Sequence, residues 1–225
     1  MKIIRRTITI ILLILILITG YIIYSGWNMY KEVTEEVSVT QKIEQIKSQE
    51  HYTKYEDLSK TYVNAVIAGE DKRFRKHGGV DIISTGRAIL RNVKEKDLVE
   101  GGSTITQQLA RNMYFDQDKK LTRKVAEIFV AFEIERECDK NEILELYANV
   151  IYFGSGYYNV YDASKGYFGK EPWQLNDYEA TMLAGIPNAP SAYDLNVNPD
   201  LAEQRRQQVI SCMVEEGYAE EGEIK

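Results

Sequence analysis

The chain has 225 residues, of which 44% are hydrophobic and 28% charged, with 15 glycines and 4 prolines. That is the composition of a folded protein, so a disordered, collagen-like or coiled-coil chain is excluded, and the length fits one domain of roughly 170–200 residues plus an appendage. Charge is divided unevenly: residues 1–30 carry Lys2, Arg5 and Arg6 and no acid, so their +3 leaves the rest of a chain of net charge −6 at −9. An acidic body argues against a nucleic-acid partner, because that affinity rests on neutralising phosphates. Two cysteines, Cys138 and Cys212, lack metal-ligand spacing and are too few for a disulfide scaffold, and two histidines exclude a histidine-rich metal site.

From Thr7 to Trp27 the sequence runs 21 residues without a charge, and a membrane-spanning helix needs about 20. Tyr21, Tyr24, Trp27 and Tyr30 crowd its far end, where aromatic rings favour the bilayer interface. Basic residues precede the run and Glu32, Glu35 and Glu36 follow it, so the positive-inside bias leaves the short N-terminus in the cytoplasm and the acidic body outside. A cleaved signal peptide fits less well: its apolar core is usually about 7–15 residues and ends in small residues, and Tyr-Ile-Ile-Tyr-Ser-Gly-Trp is a poor match. The expected organisation is a cytoplasmic tail (1–6), a single span (7–27), a polar stalk or linker (28–54) for which a weak apolar repeat at Val37, Ile43 and Ile46 leaves a helix open, and one mostly α domain (55–225).

In that domain Leu58, Tyr62, Ala65 and Val66 form one helical stripe, which Gly69 is expected to end. Thr104 followed by Gln107 resembles a capping box, opening a helix with Ile105, Leu109 and Met113 on one face. A long helix begins near Leu121, with Leu121, Val125, Ile128 and Phe132 at helical spacing. Asp139 with Glu142 and Asn176 with Glu179 mark two more starts, and Pro187, Pro190 and Pro199 punctuate a loop before a last helix over about 200–216. Trp173 and the two cysteines read as buried, with a disulfide allowed outside the cell. The tyrosine- and glycine-rich run 151–169 reads as a packed loop rather than a sugar platform.

Three stretches concentrate unusual polar residues. In the first, Glu70 and Asp71 follow an apolar helix, at the end where the dipole disfavours carboxylates. The plain reading is a solvated turn with Asp71 paired to Lys72 or Arg73; the functional one is a general base in a cleft near His77 and Arg87. In the second, residues 101–112, Ser103, Gln107 and Arg111 are spaced by four and share a helix face that could line a groove for a sugar or a diphosphate. The third holds Arg123 and Glu127 one turn apart, by default a surface ion pair, alternatively a second carboxylate flanked by phosphate-binding cations.

Glu-Asp-x-x-Phe-x-x-His-x-Gly-x-Asp at 70–81 with Gly-Arg-Ala at 86–88 resembles the first motif of the peptidoglycan glycosyltransferases, glycosyltransferase family 51. GGSTITQQLARN resembles their second motif, and RKVAE and NEILELYAN their third and fourth, in order over about 55–217. The resemblance implies a mostly α, lysozyme-like glycosyltransferase domain with head and jaw lobes behind the membrane helix. It implies that lipid II is polymerised into glycan strands at the membrane, without nucleic acid and with other cell-wall synthesis proteins as possible partners. Glu70 is the implied base and Glu127 the second carboxylate. The implied substrate-binding set is Asp71, Phe74, His77, Arg87, Ser103, Thr104, Gln107, Gln108, Arg111, Asn112, Arg123 and Lys124. A divalent cation, Mg or Mn, is expected at most loosely at the diphosphate, with no organic cofactor. Because the sequence stops near Lys225 without a transpeptidase domain, it looks like the monofunctional form. Arg111 stands where the family usually has Lys, Asn159 where it commonly has Gly, and Gly69 where a larger residue is usual. The rival readings are a muramidase or lytic enzyme, which needs no cations around its second carboxylate, and an idle membrane scaffold, which needs neither glutamate.

Overall fold

The computed structural model describes residues 2–95, 101–116 and 120–224, and among them the regular structure is all helix. In chain order the helices are α1 (Lys2–Glu36), α2 (Val39–Lys47), α3 (Lys60–Glu70), α4 (Ile82–Glu95), α5 (Ile105–Tyr114), α6 (Leu121–Glu137), α7 (Lys140–Ala148), α8 (Val160–Phe168), α9 (Asp177–Gly185) and α10 (Pro199–Glu215). The mostly α, lysozyme-like class expected from the sequence holds.

The α1 helix is 35 residues long, and its most apolar stretch has a mean hydropathy of 2.6 and no buried residue, so it is long and apolar enough to cross a membrane. Its last third does something else. Gly26 is buried, the Trp27 ring meets Phe129 of α6 edge-on at 4.9 Å, and the Tyr30 hydroxyl donates to Glu133 at 2.8 Å. Next, a reciprocal box between Ser38 and Gln41 starts α2, which buries Val39, Ile43 and Ile46. The expected stalk over 28–54 is therefore replaced by structure: its first part continues α1, and α2 belongs to the core. Burying three apolar side chains from one face of α2, roughly 1.5–3 kcal/mol each, offsets a large part of the entropy lost on ordering it.

At the centre lies α5, with Ile105, Leu109 and Ala110 wholly buried, packed between α6 and α7. A second group of helices, α3, α9 and α10, packs mutually. The capping boxes at Thr104–Gln107 and Asn176–Glu179 form as expected, and Asp139 accepts from the backbone N–H groups of Asn141 and Glu142. Several expectations change, among them the run 151–169, read as a packed loop but helical over Val160–Phe168. The α3 helix runs through Gly69 and ends at Glu70. On α6 the core face is Ala126, Val130 and Ile134, whereas Leu121 is 69% exposed, because Val125 and Phe129 turn toward α1 rather than the core. Trp173 is 55% exposed, since the turn carrying it buries Pro172 instead. Cys138 is buried and Cys212 only half-buried, both as free thiols.

The α4 helix differs from the others. Ile82, Ile83, Leu90 and Val93 are all more than half exposed. It is started by buried Asp81, whose carboxylate accepts from the backbone N–H groups of Ile83 and Ser84, the Ser84 hydroxyl and Arg73 Nε at 2.7–3.0 Å. Burial alone would raise the Asp81 pKa, but these donors outweigh it and lower it to about 2. Its contribution is present above the unfolded pKa, about 3.9, and is lost as pH falls through about 2. Asp81→Ala should cost roughly 1–3 kcal/mol at neutral pH, read as a fall in Tm of detergent-solubilised protein. An unchanged Tm would show that α4 does not depend on its cap.

Candidate active site

Glu70 closes α3 with its side chain only 5% exposed. Its Oε2 accepts from Gln108 Nε2 at 2.9 Å, and its Oε1 from Arg205 of α10 at 3.2 Å. Burial pushes the Glu70 pKa up; Arg205, Gln108 and Asn188 pull it back, and the net direction is upward. A carboxylate in that condition is a stronger base than a solvated one while still ionisable. Gly185 at the end of α9 makes the Arg205 placement possible: a Cβ there would lie 3.1 Å from Arg205 Cγ. Among the described residues, the Nε atoms of Arg205 and Arg111 are buried without a hydrogen-bond partner. Each therefore retains a donor.

Asp71 is not in a solvated turn with Lys72 or Arg73. Lys72 reaches Glu215 and Arg73 reaches Asp81, whereas Asp71 is buried, accepts from the Ile105 backbone N–H at 3.1 Å and pairs with His77 Nε2 at 2.8 Å. A carboxylate is favoured at the N-terminus of a helix, so Asp71 pins the end of α3 to the start of α5 and sets Glu70 beside Gln108. The other His77 ring nitrogen meets the Gly78 carbonyl oxygen at 2.5 Å. Burial works against a charged His77, but the Asp71 and Gly78 contacts outweigh it and raise its pKa. This brace is fully formed below the ordinary histidine range and weakens as pH rises through the raised value.

The second cluster is built on α6. Glu127 is wholly buried and pairs with Arg123, one turn away, and with Lys124 at 3.2 Å. Lys124 also donates to Ser103 Oγ at 2.6 Å. Burial lowers the Lys124 pKa; Glu127 opposes this, while neighbouring Arg111 and Arg123 add to it, and the net direction is downward. Two cations thus share one carboxylate, with the charge of Arg111 also acting on Lys124, an arrangement suited to an incoming anion. The two clusters adjoin through α5, whose Gln108 serves the first and whose Arg111 serves the second, and the buried Tyr147 hydroxyl feels both Glu70 and Arg111.

The structure does not bring every anticipated residue to these clusters. Phe74 is wholly buried beneath Lys140. Thr104 and Gln107 are buried, with Gln107 Oε1 accepting from the Thr104 backbone N–H, so the Ser103–Gln107–Arg111 groove face loses its middle member to the helix cap. Gln108 takes that place. Asn112 donates to the Gln108 carbonyl oxygen at 2.8 Å and lines a separate cavity of about 470 Å³ with Lys42, Gln45 and Tyr158. Arg87 is exposed on α4. Arg205 and Asn188 were not anticipated; the signal for Arg205 was an arginine pair inside the apolar stripe Ala202–Val209–Met213.

Asp71, His77 and Asp81 have ligand atoms within 4.8 Å of one another, as a metal site requires. Their carboxylates and ring nitrogens already hydrogen-bond to one another and to protein donors, and the diphosphate-binding candidate offers one carboxylate already paired with two cations. These residues do not fit a protein-held divalent cation, and no step below depends on one.

The model of the Transglycosylase family matches residues 36–214. The chain belongs to that family. Over 167 residues this transglycosylase chain is 44% identical to penicillin-binding protein 1A of Aquifex aeolicus, covering 74% of the chain and 23% of that relative. It is 44% identical over 162 residues to penicillin-binding protein 1F of Bacillus subtilis, covering 72% and 23%, and 46% identical over 165 residues to penicillin-binding protein 1A of Neisseria gonorrhoeae, covering 73% and 21%. The chain spans less than a quarter of the length of these relatives.

Proposed function

We propose that this transglycosylase domain polymerises lipid II into glycan strands at the outer face of a bacterial cell membrane. The observation that carries the reading is that α5 links a buried carboxylate, Glu70, bound by Gln108, to a cation cluster in which Arg123 and Lys124 flank Glu127 and the charge of Arg111 acts on Lys124. Glu70 takes the proton from the 4-hydroxyl of the acceptor sugar. The freed oxygen attacks the anomeric carbon of the donor, and the bond from that carbon to the phosphate oxygen breaks. The electron pair leaves with undecaprenyl diphosphate, held by Arg111, Arg123 and Lys124. Backside attack converts the α-linked donor to a β-linked product by inversion. Charge developing on a leaving diphosphate is what preorganised cations stabilise best. Gln108, Asn188 and Arg205 hold the base in place.

The basic N-terminus and acidic body orient α1 with its first residues in the cytoplasm. The exposed apolar side of α4, with Ile82, Leu90 and Val93, is suited to lie in the lipid interface beside the substrate's anchor. Detergent-solubilised full-length protein given labelled lipid II should build a ladder of long glycan on a gel. Shortening of preformed glycan instead would point to a lytic enzyme; no product from an intact fold would point to a scaffold.

The raised pKa of Glu70 gives a pH signature. The base must be ionised, so activity should fall as pH drops through its pKa, at a pH above the ordinary carboxylate range. Arg205→Ala removes a cation that lowers that pKa, so the acid limb of kcat/KM should move to higher pH, while Arg205→Lys should keep most of the wild-type limb. An unmoved limb in Arg205→Ala would separate Glu70 from the titration that controls the rate.

A further inference from the structure

We infer that Gly26 of the membrane helix is a positioning residue for the anion-binding cluster: the close crossing it permits fixes where Arg123 and Lys124 stand to receive an isoprenoid diphosphate. This rests on the diphosphate role given to those two residues above.

The α1 helix contains two glycines in different surroundings. A Cβ added at Gly20 would meet nothing within 4 Å, so that glycine is replaceable on packing grounds. A Cβ at Gly26 would lie 2.5 Å from Val125 Cβ, 2.6 Å from Val125 Cγ1 and 2.8 Å from the Thr122 carbonyl oxygen. Val125 Cβ is fixed by the backbone and the Thr122 oxygen is helix backbone, so a rotamer change could withdraw only Cγ1. Any side chain at 26 must therefore push the first turns of α6 away from α1.

Thr122 and Val125 bracket Arg123 and Lys124 in the same turn, so displacing the first pair displaces the second. The contacts at stake are short: Lys124 to Ser103 at 2.6 Å and to Glu127 at 3.2 Å. Further along, Phe129 packs against Trp27 and Tyr30, and Glu133 accepts from the Tyr30 hydroxyl. Val125, Phe129 and Glu133 are thus a stripe at four-residue spacing facing α1. The opposite side of α6 buries Glu127, Val130 and Ile134. With α5 on that side and the membrane helix on the other, α6 is clamped, and Gly26 sits at the end of the clamp nearest the cations.

The test uses the full-length protein in detergent micelles, comparing wild type with Gly26→Leu, Tyr30→Phe and Gly20→Leu. Each is assayed for lipid II polymerisation, for binding of farnesyl diphosphate as a turnover-independent probe, and for Tm. Gly26→Leu should lower kcat/KM by about 10- to 100-fold and weaken farnesyl diphosphate binding about 10-fold; Tyr30→Phe should move both the same way by a smaller factor, and Gly20→Leu should match wild type. Val125→Gly added to Gly26→Leu removes the two nearest clashing atoms and should recover part of both losses. Gly26→Leu equal to wild type in both assays overturns the inference. If Gly26→Leu loses its fold, Tyr30→Phe decides: unchanged binding and kcat/KM overturn the inference, and parallel losses with an unchanged Tm uphold it. Wild type that neither polymerises lipid II nor binds the probe defeats the diphosphate reading itself, and with it this one.

Discussion

Glu70→Gln is expected to lower glycan polymerisation by about 10²–10⁴-fold, the usual worth of a positioned general base, with little change in Tm. The substitution keeps the shape of the side chain, and an amide oxygen can still accept from Gln108 or Arg205, whose bonds to Glu70 now measure 2.9 and 3.2 Å. What it removes is the capacity to take a proton. Initial rates with labelled lipid II, alongside thermal unfolding, separate the two effects. A variant that polymerises at more than about a tenth of the wild-type rate would place the base elsewhere.

Glu127→Gln should fail differently. It removes the single carboxylate from a buried cluster that also holds Arg123 and Lys124. Breaking a buried ion pair by deleting one partner typically costs about 3–5 kcal/mol, because the surviving charge is left uncompensated. At roughly 2–4 °C per kcal/mol for a domain of this size, Tm should drop by about 6–20 °C, with activity lost as well. The distinctive sign is rescue: inorganic pyrophosphate should raise Tm more in Glu127→Gln than in wild type, since it supplies the missing anion. Equal stabilisation of the two proteins would show that the cations do not form an anion site.

These two glutamates were legible in the sequence for different reasons. Glu70 stood out because a carboxylate at a helix C-terminus opposes the dipole and calls for a compensating role; Glu127 stood out only through its cationic neighbours. The start of α5 was legible too, since a capping box is a local arrangement of four residues. That same box hid Gln107: its position beside Ser103 and Arg111 suggested a groove, but the third residue of a capped helix turns its side chain back to the cap. Gln108, about 100° further round, points to Glu70 instead. Arg205 lies 135 residues from its partner, and no local spacing reports a contact of that range. The misread of residues 28–54 as a stalk has a similar origin. Polar composition described the exposed sides of α1 and α2, while their packing depended on α6 and on the core.

The docking of α1 on α6 also sets a height. A helix rises about 1.5 Å per residue, so the charge-free run of 21 residues measures about 31 Å, the thickness of a bilayer's hydrocarbon core. Gly26 lies within that run and Tyr30 just beyond it, and both are fastened to the domain. In the proposed membrane orientation, the elevation of Arg123 and Lys124 above the lipid tails is set by a residue count, like a mark on a plumb line. Lengthening the apolar run by one turn, about 5.4 Å, would lift the whole cation set away from the headgroups unless the helix tilted to absorb it.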